Sequence, residues 1–221
     1  MPGQATPRRG SSPGTPGQAV KQKRPRWYRV VIDVVLGVVG GGVVALVLSL
    51  VLIISQVIGM AKPVNGWLGQ RTCGLETNNF VVRAACDYWL PAVNSPQEAV
   101  YWTMGQPNGG VSLSSAHNYV LHFAAGQLPP VDGFWSITMT NIRETMVANS
   151  INRYSIGDRS NLTANADGSV DIYIQESEPT GHESNWLPAP SGGFILWLRA
   201  YQPQQAILDG TWTPPAIQEV S

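Results

Sequence analysis

The sequence predicts a mainly β chain: a sandwich or jelly-roll-like extracytoplasmic domain with a few short helices, preceded by one transmembrane α-helix. Three observations predict it. Residues 34–61 hold no charged side chain. Beyond residue 98, apolar residues recur at every second position in five separate runs. Clusters of Gly, Pro, Asn and Asp fall between those runs. The chain then divides into a tail over 1–29, the membrane helix over 30–60, a stalk with a helical segment over 61–97, and the β domain over 98–221.

The tail carries Arg8, Arg9, Lys21, Lys23, Arg24, Arg26 and Arg29 and no acid, a charge of +7. Residues 62–221 set seven basic residues against thirteen acids, a balance of −6. The net charge of zero therefore hides charge segregated around an apolar run, which is a topology signal. Residues 1–25 are rich in Pro, Gly, Ser, Thr and Gln and poor in large apolar side chains. Such a segment cannot bury enough surface to offset its ordering entropy, so the tail reads as disordered and cytoplasmic. Its end, KQKRPRWYR, suits anionic lipid headgroups. No aromatic residue interleaves the charges before Trp27 and no recognition module follows, so nucleic acid is not expected as a partner.

From Val34 to Ala61 the 28 positions are dominated by Val, Leu, Ile and Gly. A helix needs roughly 20 residues to cross a hydrocarbon core of about 30 Å. Trp27 and Tyr28 before the run and Trp67 after it suit the headgroup level. A cleaved signal peptide has an apolar region of only about 7–15 residues and a small-residue cleavage site. This run is longer and ends in IGMAKP, so an uncleaved signal-anchor is expected, with the lipid bilayer as partner. The basic excess precedes the span, which sets the N-terminus inside and the C-terminal domain outside. Gly37 and Gly41 form a G-x-x-x-G pair, a candidate helix dimer face for a homodimer; glycine is also simply frequent in membrane helices.

AKPVNGWLGQ reads as a stalk. ETNNFVVRAACDYWL then reads as a helix, capped by Thr77 or Asn78 and stopped by Pro91. Its buried face is either Phe80, Ala84 and Asp87 or Val81, Ala85 and Tyr88. Cys73 and Cys86 are expected to form a disulfide on the oxidising outer side; two buried free thiols are the alternative.

In the β region Val100, Trp102 and Met104 alternate with Tyr101 and Thr103. Tyr119, Leu121 and Phe123 repeat the pattern, as do Trp135, Ile137 and Met139, then Val170, Ile172 and Ile174, then Phe194, Leu196 and Leu198. Alternate side chains on a strand face opposite ways, so each run offers one face to a core. PNGG, LPPVDG, NADGS and LPAPSGG supply the turns, with Asp167-Gly168 the strongest hairpin-type signal. A short helix follows Pro203 and ends at Gly210.

Several stretches carry a family resemblance: YVLHFAAGQLPPVDGFWSIT at 119–138, INRYSIGDR at 151–159, NADGSVDIYIQ at 165–175, NWLPAPSGGFILWLRAY at 185–201 and ILDGTWTPPAI at 207–217. Together, over roughly residues 98–221, they resemble the bacterial domain-of-unknown-function family numbered 1214. The resemblance implies a mostly β, sandwich-like domain and supplies no catalytic residue. In that family the domain often forms the C-terminal half of a larger two-domain protein, and here a membrane anchor is expected in the other half's place. A bacterial source implies the inner (cytoplasmic) membrane.

The residues offer no established chemistry. His117, His122 and His182 have no zinc spacing and the cysteines no C-x-x-C partner, so neither a metal nor a cofactor is expected. No G-x-S-x-G or phosphate-binding loop occurs. INRYSIGDR concentrates Asn152, Arg153, Tyr154, Asp158 and Arg159. One reading is a polar pocket in which an arginine holds an anionic or sugar-like ligand by forked hydrogen bonds, Tyr154 stacks and Asp158 accepts. The other is an Arg–Asp network that pins a loop. Asp158, Asp171, Glu176, Glu178 and Glu183 could supply a glycosidase-like acid pair, or be solvated turn and strand residues. Three functions stay open: an anchored domain binding a ligand or partner in the cell envelope without catalysis, which is favoured; an envelope hydrolase acting on a glycan-like substrate through carboxylates near Asp158; and a structural envelope subunit. A convergent acid pair in one pocket would favour the hydrolase, and scattered exposed acids the binding domain.

Overall fold

The computed structural model describes residues 25–60, 63–71, 73–75, 79–89, 93–105 and 111–220. The tail over 1–24, the caps expected at Thr77 or Asn78, the Pro91 stop and the PNGG turn lie outside the described residues. The chain divides into the units Met1–Val47 and Leu48–Ser221. The boundary falls inside helix α1, Arg26–Met60, which runs 35 residues with none buried. At 1.5 Å per residue that is about 52 Å of helix, long and apolar enough to cross a membrane. Ser55 turns its hydroxyl back onto the Leu52 carbonyl (2.7 Å), which satisfies a polar group that apolar surroundings would strand.

The segment read as a stalk is instead built into a sheet. Strands β1 (Pro63–Val64) and β2 (Trp67–Gln70) form an antiparallel hairpin. Its turn is Asn65-Gly66, both at positive φ (54° and 82°), the conformation that a tight two-residue hairpin demands. Helix α2 (Phe80–Trp89) follows. Asn79 caps it, its Oδ1 accepting from the N–H groups of Val81 (3.0 Å) and Val82 (3.2 Å). Neither expected stripe is the buried one: Ala85 and Cys86 are buried, while Phe80 and Tyr88 are exposed. Cys73 and Cys86 are joined by a disulfide, with Cα atoms 5.3 Å apart.

The remaining strands are β3 (Ala99–Met104), β4 (Leu113–Ser114), β5 (Asn118–Phe123), β6 (Val131–Asn141), β7 (Ser155–Gly157), β8 (Val170–Gln175), β9 (Trp186–Pro188), β10 (Gly193–Pro203) and β11 (Ile217–Val220), with the short helix α3 at Gln205–Leu208. Among the described residues they form two sheets. The larger runs β1-β2-β3-β10-β6-β7, with β4 also on β10; the smaller runs β11-β5-β8-β9. Pairing is antiparallel except β8 with β9. The period-two runs explain the core. Val100, Trp102, Met104, Trp135, Ile137, Met139, Phe194, Leu196 and Leu198 from the larger sheet join Tyr119, Leu121, Phe123, Val170, Ile172 and Ile174 from the smaller in one buried cluster. Each such side chain contributes about 1.5–3 kcal/mol on burial, so this cluster is what holds the two sheets' strands in register.

β6 and β10 are longer than the runs that marked them, and they pair over almost their whole length. Leu68, Thr103, Thr138, Thr140 and Ile195 alternate with the core residues, so they lie on the larger sheet's other face, yet they too are buried. Gly157, the last residue of β7, must be glycine because a Cβ there would stand 2.2 Å from the Trp135 carbonyl oxygen of β6.

Candidate functional site

β7 and β9 are terminal strands of their sheets, and the segments beside them enclose a cleft of about 500 Å³. One wall is the segment between β6 and β7. Asn141 starts it by accepting from the N–H groups of Arg143 (2.9 Å) and Thr145 (3.1 Å). Asn149 ends it: its Oδ1 accepts from Arg153 N (3.0 Å) and Ile151 N (3.3 Å), and its Nδ2 donates to Arg153 O (2.8 Å). Asn152 takes the left-handed conformation (φ 52°) that closes this turn, which asparagine tolerates better than most residues. Two amide side chains therefore do the work that a sheet ladder does elsewhere. Ile142, Met146 and Val147 between them, and Ile151 just beyond Asn149, are all exposed.

The opposite wall is the chain from Glu176 to Ser191. It is fixed by Asn185, which is buried and spends its whole amide: Nδ2 donates to the carbonyls of Thr163 and Asp171 (both 2.8 Å), and Oδ1 accepts from Thr163 N (2.8 Å). Trp186 donates its indole N–H to Gln175 O (2.9 Å). Arg153 ties the walls together. Its Nη1 donates to the carbonyls of Glu183 (2.7 Å), Trp186 (2.7 Å) and, at longer range, Ser184 (3.5 Å). Nε and Nη2 are not used by these bonds. Inside the cleft Met139, Trp186, Pro188 and Pro190 give apolar surface, and Tyr154, Asn141 and the Ser191–Glu176 pair (Oγ to Oε1, 2.5 Å) give polar groups. Among the described residues nothing hydrogen-bonds the Tyr154 hydroxyl.

The five residues expected to share a pocket are therefore not all together. Arg153 and Tyr154 line the cleft. Asn152 is exposed and shapes the turn. Asp158 and Arg159 lie past β7: Asp158 is exposed without a bonded partner among the described residues, and Arg159 stands over the Phe134 ring at 4.0 Å from its centroid. β7 intervenes between the two pairs, and that separation is why they diverge. Of the candidate acids only Glu176 lines this cleft among the described residues, and Ser191, Asn141 and Asn149 were not singled out by the sequence, where LPAPSGG marks only a turn.

The acids are scattered. Glu176 is the one carboxylate lining the cleft among the described residues. Asp171 accepts from Asn165 Nδ2 (2.8 Å) and meets His122 Nδ1 (2.6 Å), its directly opposite residue on β5. His122 lines a smaller cavity of about 210 Å³ with Phe123, Gln127, Trp212 and Thr213. His117 precedes β5 and meets Glu219 (2.7 Å); His182 stacks on Tyr173 (4.3 Å). Hydrogen bonds from the N–H of its own backbone and of Gly181 hold the Glu183 carboxyl below its ordinary range. The Ser169 hydroxyl and N–H do the same for Asp167, and the Thr211 N–H and hydroxyl for Asp209. Among the described residues no group of three His, Cys, Asp or Glu side chains could hold a metal ion.

Residues 98–205 match the family described as Protein of unknown function (DUF1214). The chain is similar to the crystal structure of the VPA0106 protein from Vibrio parahaemolyticus, at 33% identity and a TM-score of 0.54, over 64% of this chain and 35% of that one. It thus spans about a third of that protein's length. A protein from Burkholderia cenocepacia, itself uncharacterized, aligns at 15% identity and a TM-score of 0.34 over 57% of this chain and 30% of that one, too slight a likeness to argue from. No curated protein matches the chain.

Proposed function

The chain carries a domain of the DUF1214 family, and on that premise we propose that it is a single-pass membrane protein whose extracytoplasmic β-sandwich domain binds a ligand of the bacterial cell envelope without catalysis. One observation carries the reading: a preorganised cleft of about 500 Å³ whose polar groups converge while, among the described residues, only one acid lines it. Ligand pockets of this size are mostly apolar with a few placed polar groups, and this cleft has that balance. One cation, Arg153, and one anion, Glu176, suit a neutral, hydroxyl-rich ligand such as a sugar, with Tyr154 beside it. Glycoside hydrolysis needs two carboxyl groups about 5–9.5 Å apart across the scissile bond, and among the described residues Glu176 is the one carboxylate lining this cleft, so the binding reading is preferred over the hydrolase.

Anchoring through α1 rests on its length, its apolar surface and the seven basic residues ahead of its uncharged run. A removable signal sequence is the competing reading, and the Leu/Val run of 28 uncharged positions argues against it. Within α1, Gly37 and Gly41 have open space where a Cβ would stand, which suits close approach of a second helix.

The test is binding of envelope-glycan fragments, muropeptides and neutral oligosaccharides, to the full chain in detergent. At least one should raise the melting temperature, and Tyr154→Phe should weaken that ligand several-fold while leaving the unliganded melt in place. A panel that shifts nothing, or equal shifts in Tyr154→Phe, would remove the cleft as the site.

A further inference from the structure

Arg159 has a role outside the cleft. Its guanidinium carbon sits 4.0 Å from the centroid of the Phe134 ring. Phe134 stacks on Tyr201, with ring centroids 4.3 Å apart and planes 20° from parallel. Phe134 and Tyr201 are direct register partners on β6 and β10, so sheet pairing itself fixes the platform under the arginine. The two rings are half-buried and Arg159 is exposed. Among the described residues no hydrogen bond or ion pair engages its nitrogens, although Asp158 is its chain neighbour. A guanidinium held over a ring keeps its N–H donors around its rim, with a fork that matches carboxylate and phosphate oxygens.

Further groups lie on the same sheet face. Arg199 alternates with Tyr201 along β10, pairs with Tyr101 across to β3, and spends Nη1 on Thr138 Oγ1 (2.7 Å). The Tyr101 hydroxyl is pushed up first by burial and then by Tyr201, while Arg199 pulls it down, so these three groups feel one another. The acids nearby are otherwise placed: Asp132 accepts from Gln204 Nε2 (2.8 Å), and Glu98 acts on Tyr101 only as a weaker influence. Two arginines therefore stand on one face of a region whose overall balance is −6. Phe134 is five residues along β6 from Met139 of the cleft, about 16 Å at strand rise, so this is a different place on the domain.

We propose that the Arg159–Phe134–Tyr201 stack is a second binding site, one that takes an oxyanion, carboxylate or phosphate, on the rim of Arg159, with Arg199 and the Tyr101 and Tyr201 hydroxyls beside it. The stack holds the arginine in place before the ligand arrives, which removes part of the ordering cost of binding. It rests on Arg159 geometry alone and does not require the cleft to bind anything.

The experiment titrates the full chain in a neutral detergent with trigalacturonate, inorganic phosphate and neutral maltotriose, followed calorimetrically. Arg159→Gln should weaken an anion at least tenfold with an unchanged melting temperature, and Arg159→Lys, which keeps charge but loses the fork, should fall between. Arg143→Gln, an exposed arginine with no ring beneath it, should bind as the unaltered chain does. Arg159-dependent binding of trigalacturonate assigns a carboxylate source, and of phosphate a phosphate source; either supports the site. If neither anion binds, or if both bind Arg159→Gln equally well, the stack is only a staple for the turn after β7 and the proposal is overturned.

Discussion

Arg153 shows how a residue that reads as a ligand contact can be a fastener first. Its Nη1 holds the carbonyls of Glu183 and Trp186, and charge-assisted bonds of this kind contribute about 1.5–3 kcal/mol each. Because the arginine is only half-buried, Arg153→Ala should cost roughly 2 kcal/mol in all, measured by urea unfolding, with the 183–186 turn becoming protease-sensitive; an unchanged midpoint would refute that tie. The depressed carboxyls set a pH dependence. Asp167, Glu183 and Asp209 have folded pKa values below their ordinary ones. Their contribution is therefore present above the usual carboxylate range, near pH 4, and is lost as pH falls through the lower folded values. Melting temperature should drop as pH falls below about 4, and the triple variant Asp167→Asn, Glu183→Gln, Asp209→Asn should flatten that drop. INRYSIGDR made its polar density legible. It hid the division at β7 that sends Tyr154 to the cleft and Arg159 to Phe134, because that division depends on which residues meet β6.

Elements were legible where local pattern and burial agree. The five alternating runs became β3, β5, β6, β8 and β10 because each had a face for one common core. The Asn65-Gly66 hairpin was equally written in the sequence, but flanking strands of two and four residues give no period to notice. β7, β9 and β11 are likewise three or four residues long, and they form only because a longer neighbour supplies their hydrogen bonds. Gly157 tests this dependence. Gly157→Ala would drive a Cβ into the β6 backbone, and should cost about 1–3 kcal/mol and loosen β7 with the 149–154 turn, readable as faster amide exchange there. The disulfide closes a short loop onto α2. Cys73→Ser with Cys86→Ser should lower stability by roughly 3 kcal/mol in the chain-entropy account, and unfolding in the presence and absence of reductant measures it.

At the scale of the whole molecule, one long apolar helix accompanies a two-sheet domain of the DUF1214 family. The helix was legible because an uncharged run needs no tertiary partner to be recognised. The cleft was not, because its walls come from segments about 30 residues apart that only β7 and β9 bring near. The functional reading depends on the domain standing outside an anchoring helix. The most direct test is a topology measurement: a periplasm-active reporter fused after Ser221 in one version and before Met1 in another, with each membrane fraction washed in alkaline carbonate. Activity is expected only from the C-terminal fusion, in a full-length protein that stays in the membrane. Activity only from the N-terminal fusion, or a soluble product lacking residues 1–60, would contradict it.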